Sequence, residues 1–590
     1  MPKIEQTLAA LTAHSVPRPE YPRPQMVRSK WMNLNGDWEF EIDHGASGRE
    51  RGFAEREELS GRINVPFCPE SCLSGVGYTD FMAAVWYRRT FVLPEDWQGQ
   101  RVLAHFGAVD YEAFVYVNGT LVGSHRGGYI SFSLDITDQL QAGTNVITVC
   151  AEDAVRTSNQ PAGKQSQRYG SWGCLYTRTT GIWQTVWLEA VPQISIANLK
   201  LTPDMASVAL HVEAELATNG DGMELVARAV YEEQGVGEAR FPVTGNLAQG
   251  TLALSQLYPW EPGQGRLYDL TLTLERDGEI VDKVDSYFGM RSVTWGEGKI
   301  YINGKPVFQR LILDQGFYPD GIYTAPADQE LKDDILRSME LGFNGARLHQ
   351  KIFEPRFLYW ADRLGYLVWG EHASWGLDIS TMEGAKHFLP EWLEELARDY
   401  NHPAIVGWCP FNETHVDQED AVIGLTYTVT KAFDRTRPVI DTSGYVHVQT
   451  DIFDCHNYDQ NPESFARSFV GLAGEGEIFM NHPDRDARAW HHQPYFVSEY
   501  GGIRWAPEQD EGWGYGDAPR TEAEFLERYR ALTTALLRNP GVCAFCYTQL
   551  TDVEQEVNGL YTYERKPKFE ARLIREINQQ IAAIEEAPNA

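Results

Sequence analysis

Near Arg291 the chain changes from short alternating runs to long amphipathic ones, and that switch constrains the fold more than any other feature. Upstream, between Trp31 and Leu188, apolar and polar residues alternate in VWYRRTFVLP (Val85 to Pro94), RVLAHFGAV (Arg101 to Val109), AFVYVNGTLVGSH (Ala113 to His125) and NVITVCAED (Asn145 to Asp153). Period two places one face of each run on a core and the other in water, and Asn118-Gly119 is a strong two-residue hairpin signal. An antiparallel jelly-roll β-sandwich is expected there. A second all-β stretch runs from about Pro192 to Met290, with TLALSQL and LYDLTLTLERDGEIVDKVDSYF, the latter containing an Asp277-Gly278 turn. About 100 residues of such strands suit an immunoglobulin-like sandwich.

Downstream, helical stretches of about 12 to 18 residues alternate with short β-rich runs. DQELKDDILRSMELG (Asp328 to Gly342) sets Leu331, Ile335 and Met339 on one helix face, FEPRFLYWADRLG precedes YLVWGEH, and LPEWLEELARDYN precedes AIVGWCPFNE. A β-α rhythm over about 300 residues implies a parallel sheet, most economically a closed barrel. Candidate strands fall at 307–313, 345–349, 366–371, 405–413, 438–444, 451–459, 494–501 and 542–552, the eight that a barrel requires. The expected architecture is therefore a jelly-roll β-sandwich (1–190), an immunoglobulin-like β-sandwich (191–290) and a C-terminal (β/α)8 TIM barrel (291–590).

Composition narrows the partners. A formal net charge of -32 repels phosphate backbones and anionic lipid surfaces, so nucleic acid and membrane are poor partners. The first thirty residues hold no continuous apolar core of the kind a secretory signal needs, and no run approaches about 18 apolar residues, so a cytoplasmic location is expected. Eight scattered cysteines make no disulfide framework, and Cys543 and Cys546, three apart on a strand, point to opposite faces. The histidines lack metal-ligand spacing and no glycine-rich phosphate loop is present, so neither a metal nor a cofactor is expected.

In a (β/α)8 barrel the strand ends build the catalytic face. Glu413 ends the fourth candidate strand and Glu499 the seventh, across the mouth from each other. Two facing carboxylates are what glycoside hydrolysis needs, one neutral to protonate the leaving oxygen and one ionised to attack. Glu413, in the apolar setting Trp408-Cys409-Pro410-Phe411, is expected to have a raised pKa and act as acid, then base; Glu499, within reach of Arg347, is expected to stay ionised as nucleophile. Other strand ends offer Glu371, His456, Tyr547 and Gln549, and among the 17 tryptophans Trp375, Trp408 and Trp505 lie near strand ends, where an indole face can carry a sugar ring.

The chain resembles glycoside hydrolase family 2, the family of β-galactosidases, β-glucuronidases and β-mannosidases. The resemblance is carried in one order by WMNLNGDWEF, VWYRRTFVLP, VNGTLVGSHRGGYISFSLDIT, RTTGIWQTVWLE, FGMRSV, INGKPV, FLYWADRLGYLVWGE, WCPFNET and FVSEYGG, from about Trp31 to Phe569. It implies a retaining mechanism through a glycosyl-enzyme, with Glu413 as acid/base and Glu499 as nucleophile. It also implies that Asn412 holds the substrate 2-hydroxyl, that Arg347 and His349 order the nucleophile and the sugar, and that Tyr458 contacts the nucleophile. β-Glucuronidases of the family bind the sugar carboxylate through an Asn-x-Lys pair; this chain has Glu556-Val557-Asn558 there, which disfavours a uronic acid. The expectation is an exo-β-glycosidase for neutral sugars, β-D-galactosides first, with arabinoside, galactofuranoside or β-glucuronide activity, a transglycosylase and a non-catalytic carbohydrate binder as alternatives. Relatives are often oligomers, so a homo-oligomer is expected, with a small carbohydrate or glycoside as substrate.

Overall fold

The computed structural model describes residues 3–12, 16–474, 476–507 and 511–585. The alternating runs of the first region form two antiparallel sheets. One has the strand order Trp31–Asn33, Val186–Val191, Arg101–Phe106, Phe132–Asp135; the other runs Gly61–Val65, Gly36–Asp43, Ala84–Val92, Thr144–Glu152, Glu112–Val117, Thr120–Arg126. Trp38, Tyr87, Phe106, Val115, Val149 and Leu188 share the core of this jelly-roll sandwich. Asn118 and Gly119 close the hairpin between Val117 and Thr120 with φ of 50° and 80°, the two positive angles of a type I′ turn.

Seven strands between Ile196–Asp204 and Glu279–Phe288 form the immunoglobulin-like sandwich, a ladder folded over Leu210, Val212, Leu225, Leu270, Leu272 and Val284. Its last hairpin turns at Asp277-Gly278, again with positive φ (52° and 85°). The chain ahead of the first jelly-roll strand leans on this sandwich and on the barrel. The Lys3 and Ile4 amides donate to Asp269, Val27 bridges to Asp285, and Ile4 and Leu8 enter the barrel core.

The barrel strands are β1 (Gln309–Asp314), β2 (Gly345–Leu348), β3 (Leu367–Glu371), β4 (Ile405–Cys409), β5 (Thr442–Ser443), β6 (Phe453–Asn457), β7 (Tyr495–Gly501) and β8 (Val542–Thr548). Seven of them pair in parallel in the order β4-β3-β2-β1-β8-β7-β6. The run expected at 438–444 pairs only at its end, where Thr442 and Ser443 meet Phe411 and Asn412 just beyond β4, with one further bridge from Val439 to Trp408. Among the described residues no backbone ladder joins β5 to β6, and side chains close that seam. Ser443 Oγ donates to Asp454 at 2.8 Å, and His447 bridges Asp441 at 2.7 Å and Asp454 at 3.1 Å. Burial alone would lower the His447 pKa, but the two carboxylates raise it well above the usual histidine range, so the bridge is an ionic one.

The helices follow the sequence pattern, with one helix and one strand differing in extent. Asp328–Glu340 buries Leu331 and Ile335 as their spacing predicts. Pro355–Leu364 stops at Gly365, whose φ is 70° and where a Cβ would fall 2.5 Å from the Gln264 backbone nitrogen. The third helix spans Glu383–Asp399, starting earlier than its apolar pattern suggests, with Pro390 inside at the loss of one backbone hydrogen bond. β8 ends at Thr548 because Gln549 turns into a buried polar network described below. Among the described residues no helix is long and apolar enough to cross a membrane.

Candidate active site

Arg347, on β2 and fully buried, organises the C-terminal end of the barrel. Its Nε donates to Glu371 at 2.6 Å, one Nη lies 3.0 Å from Glu499, and the other donates to Asn412 Oδ1 at 2.5 Å and lies 2.9 Å from His349 Nδ1. Glu371 also takes the Gln350 amide and sits 3.0 Å from His349, so both its oxygens are occupied. Burial alone would raise the Glu371 pKa; Arg347 and His349 overturn that and hold it at about 2. Glu371 thus positions Arg347 instead of reaching outward.

Glu499 lies two residues before the end of β7, with its side chain 6% exposed. Besides Arg347 it meets His456 Nδ1 at 3.4 Å and accepts from the Tyr458 hydroxyl, which itself lies 3.0 Å from Thr548 Oγ1. Burial pushes the Glu499 carboxyl up, yet His456, Arg347, His349 and the Tyr458 hydrogen bond together hold it far below the usual carboxylate range. It is therefore ionised.

Glu413 follows the Phe411–Asn412 pairing, with its amide donating to Ser443 O at 2.9 Å and a φ of 43°. A left-handed backbone at a non-glycine residue costs of order 1–3 kcal/mol, and here it turns the carboxylate into the mouth. The carboxylate lies 2.7 Å from His456 Nδ1 and its side chain is 22% exposed. The apolar setting expected around it is not formed by its sequence neighbours. Trp408 is buried against the helix layer, its Nε1 donating to Asp434 at 2.8 Å, and Phe411 stacks on Phe388 at 4.2 Å. Asn412 spends its oxygen on Arg347 and keeps a buried Nδ2 that has no hydrogen-bond partner among the described residues.

Oxygens of Glu413 and Glu499 and a nitrogen of His456 all lie within 4.8 Å of one another. Three such ligands could approach a metal ion, but each is already hydrogen-bonded to one of the others or to Tyr458 and Ser443. Arg347, His349, Asn412, Glu413, His456, Tyr458 and Glu499 therefore form one cluster, as expected.

Three other expected contacts are placed elsewhere. Along β8 the side chains alternate. Cys546 and Thr548 face the barrel interior, so Tyr547 faces out and packs edge-on against Tyr500 and Tyr529, fully buried. Gln549 bonds to Gln315 and Asn558 at 2.8 Å each, which uses its polar atoms in scaffolding. Trp505 lies against Phe525 and Phe569 in the helix layer. Trp375 is at the mouth, but it acts as a brace, its Nε1 donating to Asn412 O at 2.9 Å.

The sequence did not reveal Tyr515, which stacks on Tyr458 at 3.5 Å, or Lys164, whose Nζ stands 3.9 Å over the Trp375 ring. No periodicity marks either residue, since both arrive on loops. Glu556 accepts from the Tyr176 hydroxyl and from Asn558 at 3.0 Å, and burial pushes its carboxyl up. A groove of about 870 Å³ between the three domains has walls that include neither Glu413 nor Glu499, so it is separate from this cluster.

Comparison with known proteins bears on the family and the fold. Residues 76–191 match the sugar binding domain of glycosyl hydrolases family 2, residues 194–291 match its second domain, and residues 296–583 match its TIM barrel domain. A β-galactosidase of Thermoanaerobacter pseudethanolicus is 28% identical over 61% of this chain, which spans 48% of that protein. A β-glucuronidase of Paenibacillus borealis is 23% identical over 94% of this chain and 98% of its own length. Among solved structures, a Ruminococcus gnavus β-glucuronidase in complex with D-glucuronic acid shares the fold with a TM-score of 0.77 at 19% identity, covering 94% of this chain and 98% of that one. With matches to all three of its domains in order, the chain belongs to glycosyl hydrolases family 2.

Proposed function

We propose that the protein is a retaining exo-β-glycosidase that releases terminal non-reducing neutral sugars, β-D-galactosides foremost, by double displacement. The observation that carries this reading is the approach of Glu413 and Glu499 to within 4.8 Å around His456. Retaining pairs stand about 5–5.5 Å apart, whereas inverting pairs leave roughly 6.5–9.5 Å for a water. Glu499, ionised and aimed by Arg347 and Tyr458, attacks the anomeric carbon while Glu413 gives its proton to the leaving oxygen. The bond from carbon to leaving group breaks as the glycosyl ester forms. Glu413, now a base, takes a proton from the water that attacks the same carbon, and Glu499 leaves with its electron pair, so the β configuration returns. The free Nδ2 of Asn412 is placed to donate to the 2-hydroxyl, a contact that strengthens as charge develops. No step calls for a cofactor.

The sandwich loop that carries Lys164 and Tyr176 walls one side of the mouth, and Trp513 Nε1 ties it to the barrel at Gly173 O, 2.6 Å. A mouth walled in this way suits a chain end better than the middle of a polymer. Glu556, in the place of the Asn-x-Lys pair of β-glucuronidases, supports a neutral sugar. A β-glucuronide is the second reading, favoured by the β-glucuronidase names among the relatives. A panel of para-nitrophenyl glycosides tests both: β-galactoside, β-glucoside, β-mannoside, β-glucuronide, α-L-arabinoside in both ring forms and β-galactofuranoside. The fastest turnover is expected on the β-galactoside, with the β-anomer as first product. Fastest turnover of the β-glucuronide would overturn the neutral-sugar assignment, and an α-anomer as first product would overturn retention.

A further inference from the structure

Lys164 comes from the jelly-roll sandwich, and the catalytic scheme above makes no use of it. Its loop is clamped onto the ends of β2 and β3. The Ala162 and Gly163 amides donate to Trp375 O at 2.7 and 3.0 Å, and a Cβ on Gly163, whose φ is 56°, would fall 2.3 Å from Gln350 O. Trp375, beneath the ammonium, is fixed in turn by Gln350 and Asn412. The lysine is 5% exposed, yet among the described residues its ammonium donates no hydrogen bond and has no carboxylate within 4.0 Å. Burial alone would lower its pKa, but the field of Cys174, Glu556, Glu413 and Glu499 outweighs that and raises it, so the group is charged. A cation held over Trp375, in the field of the two glutamates, has donors it can offer to a ligand.

The surroundings select the ligand. Among the described residues, Arg347 makes ion pairs with Glu371 and Glu499, and Lys164 lies in the field of Glu413, Glu499 and Glu556. An added carboxylate enters against that field, whereas a hydroxyl can accept from Lys164 and donate to a carboxyl. Glu556, on the barrel and in contact with the loop through the Tyr176 hydroxyl, supplies that carboxyl. We propose that Lys164 as donor and Glu556 as acceptor bind ring hydroxyls of a neutral glycone, so that a residue of the jelly-roll sandwich takes part in choosing the sugar. The proposal shares the neutral-sugar part of the proposed function, but it concerns binding and is tested without turnover.

The test is calorimetric binding of galactose and of glucuronate to the full chain and to Lys164→Met, which keeps an apolar stem over Trp375, alongside kcat and KM for 3-, 4- and 6-deoxy aryl galactosides. Galactose affinity is expected to fall about 10- to 100-fold in the variant, the scale of a hydrogen bond to a charged group. The loss is expected in KM, and one deoxy substrate should be as poor for the parent as for the variant. Glu556→Gln reads the same subsite from the barrel side should the lysine variant fail to fold. Unchanged galactose binding in a folded Lys164→Met, equal losses on every deoxy substrate, or parent binding of glucuronate that only Lys164→Met abolishes would each overturn the proposal. A protein that binds galactose through Lys164 but hydrolyses no glycoside would sink the catalytic reading and leave this one standing.

Discussion

Around Glu499 the barrel gathers Arg347 at 3.0 Å, His456 at 3.4 Å and the Tyr458 hydroxyl, leaving 6% of the side chain exposed; around Glu413 it places His456 at 2.7 Å and leaves 22% exposed. Both residues are glutamates at strand ends of one barrel, so the difference between them comes entirely from neighbours. The donors around Glu499 hold it ionised, whereas Glu413 has one histidine partner and a larger share of its side chain in water. His456 touches both, so the charge of one glutamate is felt by the other.

The largest test of this contrast is Glu499→Gln, which removes the attacking oxygen. Turnover of activated aryl glycosides is expected to fall at least about 10³-fold, read in kcat with the fold checked by thermal unfolding. Glu413→Gln should differ in kind. Loss of the proton donor costs roughly 10²- to 10⁴-fold for poor leaving groups and little for formation of the glycosyl-enzyme from 2,4-dinitrophenyl glycosides. Pre-steady-state bursts on the two leaving groups distinguish these cases, and equal losses on both would erase the assigned asymmetry. Tyr458→Phe should cost about 10-fold and move the acid limb of kcat/KM upward in pH, because the lost hydrogen bond favours the ionised form of Glu499. An unmoved acid limb would mean that Tyr458 does not tune the nucleophile.

A third glutamate sharpens the comparison from the stability side. Glu70 is buried and takes the Thr180 amide at 3.2 Å. Burial pushes its carboxyl up to about 8 from the ordinary 4.5. The folded state thus holds a proton that the unfolded chain releases, and stability present below the ordinary value is lost as pH rises through about 8. Glu499 has the opposite sign, with stability present above the ordinary carboxylate range and lost as pH falls. Glu70→Gln should therefore flatten the alkaline decline of Tm between pH 5 and about 9 without changing the acid side. Parallel Tm profiles for parent and variant would contradict that account.

The two glutamates and Arg347 were legible because strand ends can be counted, and a β-α rhythm says where they converge. The setting of Glu413 was misread for a physical reason. Its sequence neighbours Trp408 and Phe411 pack into the helix layer, while its partner His456 lies 43 residues further on. Tyr547 was misread although the rule was at hand, since Cys546 and Thr548 facing inward force Tyr547 outward. The β5–β6 seam was invisible because side chains of Asp441, His447 and Asp454 replace a ladder there. Lys164 was beyond any local reading. Only the docking of Ala162 and Gly163 onto Trp375 brings it to the barrel.

The central claim, that Glu499 forms the covalent intermediate while Glu413 moves protons, is tested most directly by trapping. The protein is incubated with a 2-deoxy-2-fluoro glycosyl fluoride of its best sugar, digested and mapped by mass spectrometry. The account predicts one added fluoroglycosyl group on the peptide containing Glu499. A label on Glu413 or on any other residue, or steady turnover with no trapped ester, would contradict it.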